Sequence, residues 1–108
     1  VVRDPQFGPL VMFGSGGIEV EGLKDVAFGL APLYPRDLAR MLESTWAGRK
    51  LRGFRNLPPA DRDAVRQALA RLAQLAEDFP QIEELEINPL RVLGEGQGVF
   101  ALDVRGKA

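Results

Sequence analysis

The chain has 108 residues, 45% of them hydrophobic and 27% charged, and contains neither cysteine nor histidine. Disulfides, Cys/His zinc sites and thiolate or imidazole catalysis are excluded at once, because Ser-His-Asp and Cys-His machinery needs an imidazole to activate its nucleophile near neutral pH. Fourteen Lys and Arg against fifteen Asp and Glu leave a net charge of −1 with no basic stripe, which argues against nucleic acid as a partner, and no apolar run nears the roughly 20 residues of a bilayer span.

What remains is carboxylate, amide, Arg/Lys and backbone chemistry, a repertoire suited to a hard cation such as Mg²⁺ and the phosphates that accompany it. The length fits one small domain, residues 1–108. With no signal-peptide pattern, a cytoplasmic location without membrane partners is expected. Because Val1-Val2 already reads as strand, the domain is expected to be a piece of a longer protein.

Val1 to Arg3 and Pro9 to Phe13 are β-prone runs around the turn-forming Asp4-Pro5-Gln6-Phe7-Gly8, a hairpin pattern. Gly14-Ser15-Gly16-Gly17 then interrupts regular structure. Glycine supplies a sharp turn there, and the backbone N–H groups of such a loop can also cradle phosphate, which makes Gly16 and Gly17 candidate nucleotide-binding positions. The loop is neither a dinucleotide fingerprint, which fails at Glu19, nor a Walker loop, since no Gly-Lys-Ser/Thr occurs. Ile18 and Val20 alternating with Glu19 and Glu21 read as a half-buried extended segment with both glutamates outward.

Lys24 to Leu33 reads as strand, stopped by Pro32 and Pro35. Pro35 suits a first helical position, and Leu38, Met41, Leu42 and Trp46 fall on one stripe that predicts core, with Gly48 ending the helix. Residues 49 to 60 read as a basic loop. Val65, Ala68, Leu69, Leu72, Leu75, Ala76 and Phe79 recur at helical spacing over Asp61 to Phe79, and Pro80 stops that second helix. Ile82 to Leu93 and Val99 to Val104 read as strands joined by Gly94-Glu95-Gly96-Gln97-Gly98. The order predicts an α+β fold, two helices packed on one face of a mostly antiparallel sheet.

Paired positions in a hairpin have a constant sum, and a turn centred between Glu95 and Gly96 makes it 191. Asn88 then opposes Asp103. Ile87/Val104 and Pro89/Leu102 share an apolar face, and Glu86/Arg105 form an ion pair on the polar one. Opposed Cβ atoms lie roughly 4.5–5.5 Å apart, so an amide and a carboxylate oxygen can converge on one cation, and one or two protein ligands are what Mg²⁺ usually takes. Geometry alone favours a merely solvated polar face, since exposed polar pairs are common and contribute little stability.

Glu86-Ile87-Asn88-Pro89-Leu90 followed by Ala101-Leu102-Asp103 resembles the metal-binding hairpin of the ATP-grasp domain in succinyl-CoA synthetase β subunits. Upstream, Phe7-Gly8-Pro9-Leu10-Val11-Met12-Phe13-Gly14, Gly16-Gly17-Ile18, Glu21, Asp25-Val26-Ala27-Phe28 and Ala31-Pro32-Leu33 resemble the ATP-grasp portion of NDP-forming acyl-CoA synthetases, including ADP-forming acetyl-CoA synthetases.

The resemblance covers nearly the whole chain and implies the second half of an ATP-grasp fold. Asn88 and Asp103 would be ligands to the Mg²⁺ that bridges the phosphates of ATP or ADP. It also implies a parent ligase that uses CoA, with the remaining ATP-grasp subdomain, the CoA-binding domains and the relay His lying elsewhere and the oligomeric state left open. No residue of this chain is assigned a catalytic role. The same portion occurs fused to a GNAT domain in protein lysine acetyltransferases, where it implies a regulatory module. In Leu51-Arg52-Gly53-Phe54-Arg55-Asn56 the family usually has Gly where Asn56 stands. Asn tolerates left-handed backbone, so a turn is still expected there; Arg52 and Arg55 read as a solvated basic loop.

Overall fold

A computed structural model describes residues 1–15 and 25–108. The predicted first hairpin is formed by β1 (Val2–Asp4) and β2 (Gly8–Gly14), in the register Val2↔Leu10 and Arg3↔Pro9. The Asp4 carboxylate closes the turn by accepting from the Gln6 and Phe7 N–H groups at 2.8 and 2.9 Å. Next comes β3 (Val26–Leu30), antiparallel to β2 and shorter than the predicted Lys24–Leu33. The expected segment around Ile18 and Val20, with Glu19 and Glu21, lies outside the described residues.

Helix α1 (Pro35–Glu43) begins with proline at its first turn, as its missing N–H requires nothing there, and the Asp37 carboxylate accepts from the Tyr34 N–H at 2.8 Å. The predicted single helix through Trp46 is corrected. Thr45 starts a second, four-residue helix, α2 (Trp46–Arg49), its hydroxyl accepting from the Gly48 N–H at 3.0 Å, and a 3₁₀ turn follows over Lys50–Arg52. Leu38, Met41 and Leu42 are buried as expected, but the break turns Trp46 outward, 45% exposed, edge-on to Phe54 at 5.9 Å. Gly48 sits buried inside α2 instead of ending a helix, because a Cβ there would lie 2.0 Å from the Leu42 carbonyl oxygen.

Helix α3 (Arg62–Asp78) is capped by Asp61, whose carboxylate accepts from the Ala64 N–H at 3.0 Å. Its buried line is Val65, Leu69, Ala73 and Ala76, while the predicted core residues Leu75 and Phe79 are exposed. At the other end Arg3 holds the last carbonyls, donating to the oxygens of Ala76 (2.5 Å), Phe79 (2.8 Å) and Ile82 (2.5 Å).

The predicted strand Ile82–Leu93 is two strands, β4 (Glu84–Ile87) and β5 (Leu90–Val92), and its return is β6 (Val99–Ala101) and β7 (Val104–Lys107). Pro89, lacking an N–H, interrupts the ladder. The register is nevertheless the predicted one on both sides of the break: Glu86↔Arg105 and Ile87↔Val104 before it, Leu90↔Ala101 and Val92↔Val99 after it. The main sheet runs β3-β2-β1-β4-β7, antiparallel throughout; β5 and β6 form a separate ribbon.

The core joins Val11 and Ala27 of the sheet to Leu38, Met41 and Leu42 of α1, Leu51, and Val65, Leu69 and Ala73 of α3. The expected α+β sandwich with helices on one sheet face is therefore present, with three α-helices among the described residues rather than two. Among the described residues no helix is long and apolar enough to cross a membrane.

Candidate functional site

Strand alternation leaves the second sheet face open, and its composition changes across the sheet. Leu10, Met12 and Gly14 of β2 pair with Leu30, Phe28 and Val26 of β3 on this face, and Phe28 and Leu30 are each 46% exposed. Val2 of β1 pairs with both Leu10 and Glu84, which carries the same face into β4 and then into β7 through Glu84↔Lys107 and Glu86↔Arg105. One continuous surface thus runs from large apolar side chains to charged and amide groups.

At the polar end Asn88 and Asp103 oppose each other, the Asn88 N–H donating to the Asp103 carbonyl oxygen at 3.0 Å. Their side chains line a crevice of about 170 Å³ with those of Glu86 and Arg105. The two residues singled out as metal ligands therefore do meet on one face. The expected Glu86–Arg105 ion pair is corrected: Arg105 donates instead to the Asp103 carboxylate at 3.2 Å, and the Asn88 amide nitrogen approaches Glu86 at 3.4 Å. Glu86, not paired with Arg105, adds a carboxylate to the crevice. Its signal was parity, two residues before Asn88 on the same strand face.

This donor set fits Mg²⁺. The Asn88 amide and the Glu86 and Asp103 carboxylates, all carrying hard oxygens, line one crevice from facing strands. Among the described residues no three acidic side chains are grouped so as to hold a metal ion, so Asn88 and Asp103 alone would be the protein's ligands to such an ion. The arrangement can hold a divalent cation against a polyanion, with a flat apolar group resting further along the same face.

Gly16 and Gly17, the other candidate positions, lie outside the described residues. Their flank is firmly placed. The Asp25 carboxylate accepts from Ser15 Oγ at 2.5 Å and from the Trp46 and Ala47 N–H groups at 2.7 and 2.9 Å, tying the strand ends to the start of α2. Burial opposes its ionisation, but these hydrogen bonds and the charge of Arg49 outweigh that and hold its carboxyl below the ordinary value.

In the basic loop Arg52 forms an ion pair while its side chain stays half exposed, in keeping with the expected solvated loop. Glu43 bonds Arg52 and, at 3.0 Å, Arg62; Arg55 lies over the Phe54 ring at 5.4 Å. The turn there forms, but the left-handed residue is Arg55 (φ 53°), not Asn56.

A family profile described as an ATP-grasp domain matches residues 1–107. The chain is 46% identical over 97 residues to acetate–CoA ligase [ADP-forming] I of Archaeoglobus fulgidus, an alignment covering 90% of this chain and 14% of that protein. It is 43% identical over 105 residues to the β subunit of acetate–CoA ligase [ADP-forming] I of Pyrococcus furiosus, covering 97% of this chain and 44% of that one. The dinucleotide forming acetyl-coenzyme A synthetase 1 of Ca. Korarchaeum cryptofilum, solved with coenzyme A and Mg-AMPPCP, superimposes with a TM-score of 0.87 at 39% identity. That alignment covers 97% of this chain and 48% of that one. The chain thus spans less than half the length of each of these relatives.

Proposed function

As the chain belongs to the ATP-grasp domain family, we propose that it is the Mg-nucleotide-binding second half of an ATP-grasp domain in an ADP-forming acyl-CoA synthetase. The observation that carries this reading is the graded sheet face, apolar at Phe28 and oxygen-rich at Asn88 and Asp103. A nucleotide has the matching anatomy, a flat apolar base joined to a polyphosphate that travels with Mg²⁺. Asn88 and Asp103 hold the cation, and Met12 and Phe28 offer packing to the base. The bound Mg²⁺ neutralises charge on the phosphates.

The complete protein interconverts acyl-CoA, ADP and phosphate with carboxylate, CoA and ATP. The other ATP-grasp subdomain and the CoA-binding domains come from polypeptide beyond this chain, so the chain alone binds rather than catalyses. A cytoplasmic location is consistent with ATP and CoA as the proposed reactants. The relatives above are ligases and synthetases, which supports this reading over a regulatory module of an acetyltransferase.

The test uses the full-length protein that carries this segment. Asn88→Ala and Asp103→Ala each weaken Mg-ADP binding by about tenfold or more, roughly 1.4 kcal/mol, in a calorimetric titration, and leave metal-free binding unchanged. Asp103→Asn separates charge from shape. Unaltered affinity with unaltered metal dependence would remove the assignment.

A further inference from the structure

Helix α3 ends in charges that its own dipole disfavours. Its last turn carries Glu77 and Asp78 and no basic residue, beside carbonyl oxygens that already make that end negative. Arg3 donates to the Ala76 and Phe79 oxygens there, yet among the described residues no cation pairs with either carboxylate. Leu75 and Phe79, four residues apart, stand exposed next to them.

The opposite end of the helix has the complementary make-up. From Ser44 to Ala60 the sequence holds Arg49, Lys50, Arg52 and Arg55 and no acid, whereas from Leu72 to Leu85 it holds Glu77, Asp78, Glu83 and Glu84 and no Lys or Arg. The basic stretch contains a tight, exposed turn. Phe54 and Leu57 exchange both backbone bonds, at 3.0 and 2.8 Å, around Arg55, whose φ of 53° is one that a residue with a Cβ adopts only at a cost. The Arg55 guanidinium lies over the Phe54 ring, Trp46 meets that ring edge-on, and Phe54 and Leu57 are more than half exposed. Among the described residues no carboxylate pairs with Lys50 or Arg55. Glu43, bonded to Arg52 and Arg62, ties this stretch to the start of α3. The 17 residues of that helix set the two patches about 25 Å apart.

We propose that the two patches are the halves of one self-complementary interface, by which a second copy of this chain docks with its α3 antiparallel to the first. Two-fold symmetry forms the contact twice, the basic turn of each copy on the acidic helix end of the other, and the equal spacing in both copies brings the two contacts into place together. Phe54 and Leu57 pack on Leu75 and Phe79, which takes exposed apolar area from water. Arg55 and Lys50 meet Glu77 and Asp78 around that centre, an apolar core with a charged rim. One chain cannot close this contact on itself, because its patches sit at opposite ends of one helix. The carboxylates disfavoured by their own helix thus gain the cations of the other copy. Neither Asn88 nor Asp103 takes part.

The experiment uses two versions of the full-length protein that carries this segment, told apart by different tags and with any other cysteine replaced; the segment itself has none. One version bears Leu57→Cys and the other Phe79→Cys. Mixed and mildly oxidised, they give a disulfide-linked pair in about tenfold or greater excess over the linked product of either version alone, because a disulfide needs its two Cα atoms within about 7 Å. Adding Lys50→Glu and Arg55→Glu to the Leu57→Cys version lowers that yield about tenfold. Adding Glu77→Arg and Asp78→Arg to the Phe79→Cys version as well restores it, which a chain that had merely misfolded would not do. No excess of the mixed pair, or a yield indifferent to charge reversal and its compensation, would overturn the proposal and leave both patches to solvent or to other proteins.

Discussion

The two faces of β2 and β3 are built from adjacent residues and obey opposite rules. Val11 and Ala27 are 0% and 6% exposed beneath the helices, whereas their neighbours Met12 and Phe28, paired across the strands, are 37% and 46% exposed. The helix side is packed to completion and its identities follow from volume. The open side spends large apolar side chains where water reaches them, next to a crevice of carboxylates and an amide, a composition that folding alone does not ask for. Contiguous apolar surface of that kind marks a place where something binds. Substitutions on the helix side should therefore be read in stability, and those on the open side in binding.

The sharpest break of this contrast is Leu42→Ala. Leu42 is 1% exposed at the centre of the helix layer, and deleting its methyls should cost about 2–5 kcal/mol in denaturant unfolding through the cavity left behind. A loss below about 1 kcal/mol would show that the helix side is not sealed. Gly48→Ala tests the same layer by overpacking. The new methyl would meet the Leu42 carbonyl oxygen at 2.0 Å, so α1 and α2 must part, at about 1–3 kcal/mol. Neither change touches Asn88 or Asp103.

How much of this was legible in the sequence depended on the range of the interaction. The pairing of Asn88 with Asp103 was readable because hairpin register is fixed by the turn and by a period of two, and it held across the interruption at Pro89. The stripe Leu38, Met41, Leu42, Trp46 was misread past Glu43, since helical spacing alone does not reveal that Thr45 caps a new helix. On α3 helical spacing picks out Val65, Leu69 and Ala76, which are buried, but also Leu75 and Phe79, which are exposed, and it passes over Ala73, whose small side chain permits close approach to the core. Asp25, reaching the start of α2 from 21 residues away in sequence, left no local trace.

Asp25 sharpens the comparison at the rim where the faces meet. Asp25→Ala removes an ionised acceptor from Ser15, Trp46 and Ala47 and should cost about 1–2 kcal/mol. Its folded-state pKa lies below its unfolded value. The stability it contributes is therefore complete above about pH 4 and is lost as the pH falls through the depressed folded value. Thermal unfolding followed from about pH 6 to pH 2 should show a shallower acid decline in Asp25→Asn than in the parent chain. Parallel curves would mean that the carboxylate is not ionised in those bonds.

The smallest stability effects are expected on the open face, and there smallness is the informative result. Phe28 is nearly half exposed and Asn88 and Asp103 border an open crevice, so Phe28→Ala should cost under about 1 kcal/mol and Asn88→Ala and Asp103→Ala under about 0.5 kcal/mol. In the full-length protein the same three substitutions should all weaken nucleotide binding, but in different ways. The loss from Phe28→Ala persists without Mg²⁺, because base packing is indifferent to the metal, while the losses from Asn88→Ala and Asp103→Ala vanish when Mg²⁺ is withdrawn. If all three respond to Mg²⁺ alike, the apolar and oxygen-rich halves of the face do not read different ends of one ligand, and the graded surface loses its functional meaning.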